Sequence, residues 1–152
     1  MLGWWTSASW RRMSWCCLKT QAFRALAELT RVDEVTIGCS MSTDETMRAY
    51  LRHFANKDVA GIASLVAEDV SLRDWNIGEV RGKAEVLRIN TEIFNAVGAI
   101  EVETKGLYTD GQTAVAEMAL TFDQGEPLLV TDVVELDHRG QIKAIRAYKG
   151  NA

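Results

Sequence analysis

Residues 42–58, with the sequence STDETMRAYLRHFANKD, hold the first clear folding signal of the chain. Ser42 and Glu45 form an S-x-x-E capping box, in which each side chain satisfies a free backbone amide at a helix start. Four apolar residues then follow at the spacing of one helix face: Met47, Tyr50, Leu51 and Phe54. The polar run from Asn56 to Asp58 ends this helix, and Asp58 is placed to cap a second one.

The sequence after this helix predicts an α+β fold. A short second helix is expected from the spacing of Val59, Ile62, Ala63 and Val66. A strand at 70–76 and a loop containing Gly78 and Gly82 precede a third helix at 83–97. Four strands follow, separated by turn signals such as Asp110-Gly111, at 100–109, 113–123, 128–137 and 141–148. This order predicts an antiparallel sheet with the helices packed on one of its faces.

Composition narrows the classes of protein to which the chain can belong. The chain has 152 residues, a formal net charge of −4 and 47% hydrophobic residues, enough for a core without metal or disulfide staples. No basic stripe suggests nucleic acid, and no apolar run approaches the roughly 18 residues of a membrane span. Two histidines and three cysteines without metal-ligand spacing predict no metal and a reducing, cytoplasmic setting.

The first forty residues differ in composition from the rest. Four of the five tryptophans and all three cysteines precede Met41. Arg11-Arg12 is not followed by the apolar stretch of a signal peptide, so a targeting role is not favoured. We interpret residues 1–40 as an N-terminal extension, partly helical around 21–29, and Met41 as the native start of a domain at 41–152.

The alternation of side chains along the predicted strands separates an inner from an outer face. The even-numbered positions in 70–74, 113–122 and 128–137 are apolar, except for Asp74 and Asp132. A carboxylate in such a row is costly to bury unless it is paired or protonated.

Four polar side chains from four elements are therefore expected to face one apolar interior: Tyr50, Asp74, Asn90 and Asp132. Clefts with convergent polar groups are typical of functional sites, so this arrangement favours a ligand pocket. Apolar side chains predicted to contact the ligand are Phe54, Met118 and Phe122. The alternative is structural, with each aspartate bonded to a neighbouring backbone amide or to water at a rim.

Three further residues are predicted to lie outside the pocket. His53 falls off the apolar row of the first helix and is expected to be solvated. Arg73 and Trp75 share the outer face of their strand, where they could take part in a dimer contact.

Four stretches after Met41 carry a resemblance to a known superfamily: YLRHFANKD at 50–58, GIASLVAEDV at 61–70, RGKAEV at 81–86 and DVVELDHRGQIKAIR at 132–146. The chain resembles the nuclear transport factor 2-like superfamily, and within it the ketosteroid isomerases and SnoaL-like cyclases. The resemblance implies a curved antiparallel sheet wrapped around three helices as a cone-shaped α+β barrel. It also implies an apolar pocket and a homodimer formed through the outer sheet surface.

The same resemblance implies roles for the inward polar residues. Tyr50 matches the oxyanion tyrosine of ketosteroid isomerases, Asp132 the second oxyanion acid, and Asp74 the proton-shuttling aspartate. In such enzymes a tyrosine and a neutral aspartic acid donate hydrogen bonds while another aspartate moves the proton. Two departures are a missing supporting tyrosine near Asn90 and a tryptophan, Trp75, where proline is common.

The functional expectation is a cofactor-free enzyme of the isomerase, lyase or cyclase type that acts on a small apolar molecule. Two alternatives remain open. One is a non-catalytic binding or dimerisation module, in which Tyr50, Asp74 and Asp132 only satisfy one another. The other is an epoxide hydrolase, in which the aspartates and Asn90 position water, although its usual buried arginine is not evident.

Overall fold

A computed structural model describes residues 41–150 of the chain. The predictions for residues 1–40 lie outside the described residues. The elements are α1 (Thr43–Ala55), α2 (Val59–Leu65), β1 (Val66–Asp74), β2 (Gly78–Arg81), α3 (Lys83–Ala96), β3 (Ile100–Asp110), β4 (Thr113–Phe122), β5 (Leu128–Leu136) and β6 (Ile142–Lys149).

The start of α1 has the predicted capping box. The backbone amide of Glu45 donates to Ser42 Oγ at 3.2 Å, and the amide of Ser42 donates to Glu45 Oε2 at 2.8 Å. Two of the free amides at this helix end are satisfied in this way, which fixes where α1 begins. The predicted apolar face then buries Met47, Tyr50 and Leu51.

The six strands form one sheet in the order β2-β1-β6-β5-β4-β3. The prediction of a purely antiparallel sheet is wrong at one pair, because β1 and β6 run parallel. Helix α3 carries the chain across the sheet before the β3–β6 meander, so β6 enters beside β1 from the same end. The sheet is also an unclosed cone rather than a barrel, since β2 and β3 are its two free edges.

The region of 66–82 differs most from the sequence prediction. Strand β1 begins at Val66, which was assigned to the second helix, and ends at Asp74, two residues before the predicted end. A second strand, β2, replaces the predicted loop and pairs antiparallel with β1. Gly78 and Gly82 have φ angles of 87° and 91°, a backbone region that glycine enters without strain.

The core lies between the helices and the concave face of the sheet. In 70–72, 114–118 and 130–134 the even positions are the buried ones, as the alternation predicts: Val70, Leu72, Ala114, Ala116, Met118, Val130 and Val134. They pack against the inner faces of α1, α2 and α3, represented by Met47, Ile62 and Val86. No helix within 41–150 combines the length and apolarity needed to cross a membrane.

His53 is partly buried, so the prediction that it is solvated holds only in part. Its side chain is 23% exposed, and Nδ1 lies 2.8 Å from Asp58 Oδ2. Asp58 caps α2 through the Gly61 amide, so the turn between the helices folds its carboxylate back onto His53. A Cβ on Gly61 would lie 2.0 Å from His53 Nδ1, so this contact requires glycine.

Candidate active site

A cavity of about 230 Å³ lies between α1, α3 and the concave face of the sheet. A cavity needs only about 10–15 Å³ on this measure to hold one water, so this one can hold a small molecule. All seven residues predicted for the site lie in its wall: Tyr50, Phe54, Asp74, Asn90, Met118, Phe122 and Asp132. Most of the remaining wall is apolar, with Leu51, Leu72 and Ile93 among its members.

Asp132 is the buried acid of the cavity. It lies on β5, is 8% exposed, and faces two small neighbours across the sheet, Ala116 on β4 and Ala147 on β6. Its Oδ1 is enclosed and has no hydrogen-bond partner among residues 41–150. Burial, followed by repulsion from the charge of Asp74, raises the pKa of Asp132 to about 7. The carboxyl group therefore keeps its proton to a much higher pH than an exposed aspartate does.

Tyr50 supplies a hydroxyl to the same cavity from α1. The residue is 5% exposed. Burial, and then the charges of Asp132 and Asp74, raise the pKa of the Tyr50 hydroxyl above its ordinary value. Tyr50 consequently stays protonated at physiological pH and remains a hydrogen-bond donor.

An aromatic wall supports Tyr50. The rings of Tyr50 and Phe54 are tilted with centroids 6.5 Å apart, and Phe54 meets Phe94 edge-on at 5.3 Å. Such ring pairs add stabilisation beyond their buried area and hold the side chains in place. Of these three rings, those of Tyr50 and Phe54 lie in the cavity wall.

Asp74 lies where β1 ends and is only partly buried. Its Oδ1 accepts the backbone amides of Asn76 at 2.7 Å and Ile77 at 3.2 Å. One oxygen of Asp74 therefore has the structural role that the sequence analysis left open, which is a bond to a neighbouring backbone amide. Oδ2 forms no hydrogen bond within the described chain and is free to meet a ligand.

Asn90 is the fourth predicted polar residue. It is 3% exposed, and its Nδ2 donates to the backbone oxygen of Val86 at 2.8 Å. The side chain therefore bonds back to its own helix while remaining in the cavity wall.

The rim of the cavity contains residues that the sequence prediction missed. Trp75 was assigned to the outer face of the sheet, but the strand ends at Asp74 and the following turn brings Trp75, Asn76 and Ile77 into the cavity wall. Trp75 and Ile77 are 43% and 40% exposed. The signal was the sequence Asp74-Trp-Asn-Ile-Gly78, because an aspartate bonding forward and a glycine with positive φ are typical of a turn.

The cavity wall offers no cluster of metal ligands. Within residues 41–150, no group of three His, Cys, Asp or Glu side chains could hold a metal ion. The acids in the cavity wall are Asp74 and Asp132. A free carboxylate oxygen on one element, with a protonated acid and a phenol on two others, is a set suited to moving a proton beside a carbonyl group.

These features define a cone-shaped α+β protein with an internal cavity. The cavity wall is mostly apolar and contains polar side chains such as Tyr50, Asp74 and Asp132. Residues 47–145 match the SnoaL-like domain, and the chain belongs to this family. No curated protein sequence matches the chain significantly.

Several solved structures share the fold at low sequence identity. A candidate ketosteroid isomerase from Kribbella flavida matches with a TM-score of 0.64 and 24% identity over 72% of this chain and 78% of that one. An LEH-like epoxide hydrolase from M. tuberculosis matches with a TM-score of 0.62 and 22% sequence identity. The match covers 71% of this chain and 82% of that one. A candidate polyketide cyclase from Sinorhizobium meliloti matches with a TM-score of 0.62 and 16% sequence identity. The match covers 71% of this chain and 100% of that one. Identities this low establish the fold and not the activity.

Proposed function

We propose that the protein is a cofactor-free enzyme that moves a proton on a small, largely apolar carbonyl compound. The observation that carries this proposal is the buried Asp132, which lies in the cavity wall with an enclosed oxygen that no described residue satisfies. A carboxyl group that served only to hold the fold together would be expected to have a partner. Its raised pKa, about 7, makes it a donor near neutral pH.

The first step removes a proton from the carbon beside the substrate carbonyl. Asp74 Oδ2 accepts this proton, the C–H electron pair forms a C=C bond, and the π pair of the carbonyl group moves to its oxygen, which gives an enolate. Tyr50 and protonated Asp132 donate hydrogen bonds to that oxygen. One such donor in a dry site contributes about 3 kcal/mol to transition-state stabilisation.

The second step consumes the enolate. In an isomerisation, which requires a second C=C bond conjugated with the enolate, the C=O bond re-forms and the electron pair of that second C=C bond takes the proton from Asp74 at the far carbon. In a cyclisation, the enolate carbon attacks a second carbonyl carbon, and Asp74 gives its proton to the oxygen of that second carbonyl group. Both outcomes use the same three side chains and leave the enzyme in its starting protonation state.

The alternatives are less well supported by the cavity. In a binding module where Tyr50, Asp74 and Asp132 satisfy one another, Asp132 Oδ1 would have a partner, yet it has none in the described chain. An epoxide hydrolase of the expected kind uses a buried arginine, and no arginine lies in this cavity wall.

We also propose a homodimer that forms through the outer face of the sheet. Leu129 and Tyr148 lie there on neighbouring strands and are 43% and 47% exposed. Large exposed apolar side chains on one face are typical of an interaction surface. Light scattering should give twice the chain mass, and Tyr148→Glu should lower it toward one chain.

Exchange of carbon-bound hydrogen tests the proposed reaction without the natural substrate. 2-Tetralone is a small bicyclic ketone with acidic C–H bonds, and NMR in D₂O follows their exchange. The full-length protein should accelerate exchange, and Asp74→Asn should abolish most of this effect. Asp137→Asn is the matched control, because Asp137 also caps a turn through its carboxylate but lies outside the cavity wall. Binding of 2-tetralone without accelerated exchange would support the binding module instead.

A further inference from the structure

The amide of Asn90 is held in one orientation by its own helix. Nδ2 donates to the backbone oxygen of Val86 at 2.8 Å. Because a carbonyl oxygen can only accept, flipping the amide would replace this bond with a contact between two oxygens. One N–H of Nδ2 is therefore committed to the backbone, and Oδ1 keeps its capacity to accept a hydrogen bond.

The free oxygen of Asn90 opens into the cavity. Oδ1 forms no hydrogen bond within residues 41–150. The enclosed polar atoms without a partner in that range are Thr46 Oγ1 and Asp132 Oδ1, and Asn90 Oδ1 is not one of them. Asn90 Oδ1 therefore keeps accessible surface, and the cavity is the space that this 3%-exposed residue adjoins. Helix α3 thus presents a fixed acceptor to whatever fills the cavity.

The two polar groups that the proposed function assigns to the substrate carbonyl have the opposite character. The Tyr50 hydroxyl and the protonated carboxyl group of Asp132 are donors. They lie on α1 and β5, whereas the acceptor of Asn90 lies on α3. A polar wall atom that faces an apolar part of a ligand loses its bond to water and gains nothing in return. A well-matched ligand therefore carries an oxygen for Tyr50 and Asp132 and a separate donor for Asn90.

We propose that Asn90 determines substrate specificity by accepting a hydrogen bond from a hydroxyl or N–H group of the substrate. The substrate is then a ketone that carries a donor away from its carbonyl group, rather than a plain hydrocarbon ketone. This inference rests on the proposed function, because that function assigns the carbonyl oxygen to Tyr50 and Asp132. Asn90 takes no part in the proton transfer itself.

A matched set of ketones tests this inference on the full-length protein. The set contains 2-tetralone, its 5-, 6-, 7- and 8-hydroxy derivatives, and the methyl ether of each derivative. The ethers keep the oxygen atom attached to the aromatic ring but cannot donate a hydrogen bond. Calorimetry should find at least one hydroxy compound that binds about tenfold more tightly than its own ether, the value of one hydrogen bond to a buried acceptor.

Two variants separate the cavity contact from the helix contact. Asn90→Leu should remove the preference, so that within this variant each hydroxy compound and its own methyl ether bind with Kd values that agree within about twofold. Thr91→Val is the matched control, because Thr91 Oγ1 makes the same kind of bond, to the Leu87 oxygen at 2.7 Å, but lies outside the cavity wall. Thr91→Val should keep the preference.

The outcomes distinguish the inference from the proposed function. If 2-tetralone binds and exchanges hydrogen but no hydroxy compound binds more tightly than its ether, the inference is overturned and the proposed function stands. A preference that persists in Asn90→Leu also overturns it. If no ketone of the set binds, both proposals fail. Should Asn90→Leu not fold, the wild-type comparison and Asn90→Ala decide the question.

Discussion

Asp74 Oδ1 accepts the backbone amide of Asn76 at 2.7 Å, so one side chain both faces the cavity and shapes its rim. The two oxygens of the carboxylate therefore have different roles. Oδ1 holds the turn that carries Trp75 and Ile77, while Oδ2 is left for a ligand. The proposed proton transfer can therefore take place at Oδ2 without releasing the turn.

The division of Asp74 predicts different results for two substitutions. Asp74→Asn keeps an acceptor oxygen for the turn but removes the base, so exchange of 2-tetralone hydrogens should slow by at least about 100-fold. Asp74→Ala removes both roles. NMR should then find that the amide hydrogens of Asn76 and Ile77 exchange about tenfold faster in Asp74→Ala than in Asp74→Asn. Equal protection in the two variants would contradict the role of Oδ1.

The buried carboxyl group of Asp132 predicts a pH-dependent stability. Its pKa is raised from 3.8 to about 7 on folding, so the folded protein binds this proton more tightly than the unfolded chain. The contribution of Asp132 is most favourable below pH 4 and is lost as pH rises toward 7. The shift corresponds to roughly 4 kcal/mol.

Asp132→Asn isolates this effect because asparagine has the same shape and does not titrate. The difference in unfolding free energy between the variant and the wild type should move in favour of the variant by a few kcal/mol from pH 4 to pH 8. Urea unfolding at a series of pH values measures it. A difference that stays constant with pH would argue against a raised pKa for Asp132.

The same proton predicts the pH dependence of the proposed reaction. Tyr50 stays protonated across this range because its pKa is raised. Asp132 loses its proton near pH 7, so one of the two donors disappears. The protein-catalysed exchange of 2-tetralone hydrogens, corrected for exchange in buffer, should fall as pH rises from 6 to 8. In Asp132→Asn this fall should be absent, since the amide donates at every pH. A wild-type rate that rises over this range would count against the assignment.

Trp75 is expected to contribute to ligand binding at the cavity rim. It lies in the cavity wall and is 43% exposed, so a bound ligand would cover part of its ring. Trp75→Ala should weaken 2-tetralone binding about tenfold, as expected for lost apolar contact area. Tyr108→Ala is the control, because Tyr108 is 64% exposed and lies outside the cavity wall. Similar losses in the two variants would indicate a general effect on the fold.

Much of the fold and of the site followed from local patterns. The capping box at Ser42 and Glu45 set the start of α1, because the free amides at a helix end need partners and these two side chains provide them. Alternation along the strands set the inner face, because successive side chains on a strand point to opposite sides. The same two periodicities assigned Tyr50, Asp74 and Asp132 to the interior before any contact was known.

The strand pairing at the sheet edge and the position of the cavity rim could not be predicted from local sequence patterns, because both depend on contacts between distant segments. The parallel pairing of β1 with β6 joins segments about seventy residues apart, and its direction depends on where α3 returns the chain. Strand β2 has only four residues and is stable as a strand because β1 lies beside it. The position of Trp75 depended on where β1 ends, since a turn cancels the alternation on which its outward assignment rested.

Within the regular helices and strands, the sequence by itself determined that Tyr50, Asp74 and Asp132 face inward, because helix and strand periods are properties of the local backbone. Only the tertiary structure decided the state of those side chains. The raised pKa of Asp132 depends on burial and on the charge of Asp74, which comes from a different strand. The free acceptor of Asn90 depends on a helix bond that leaves Oδ1 open to the cavity. Electrostatics and hydrogen bonding act through space, and the distances that govern them exist only once the sheet has curved around the helices.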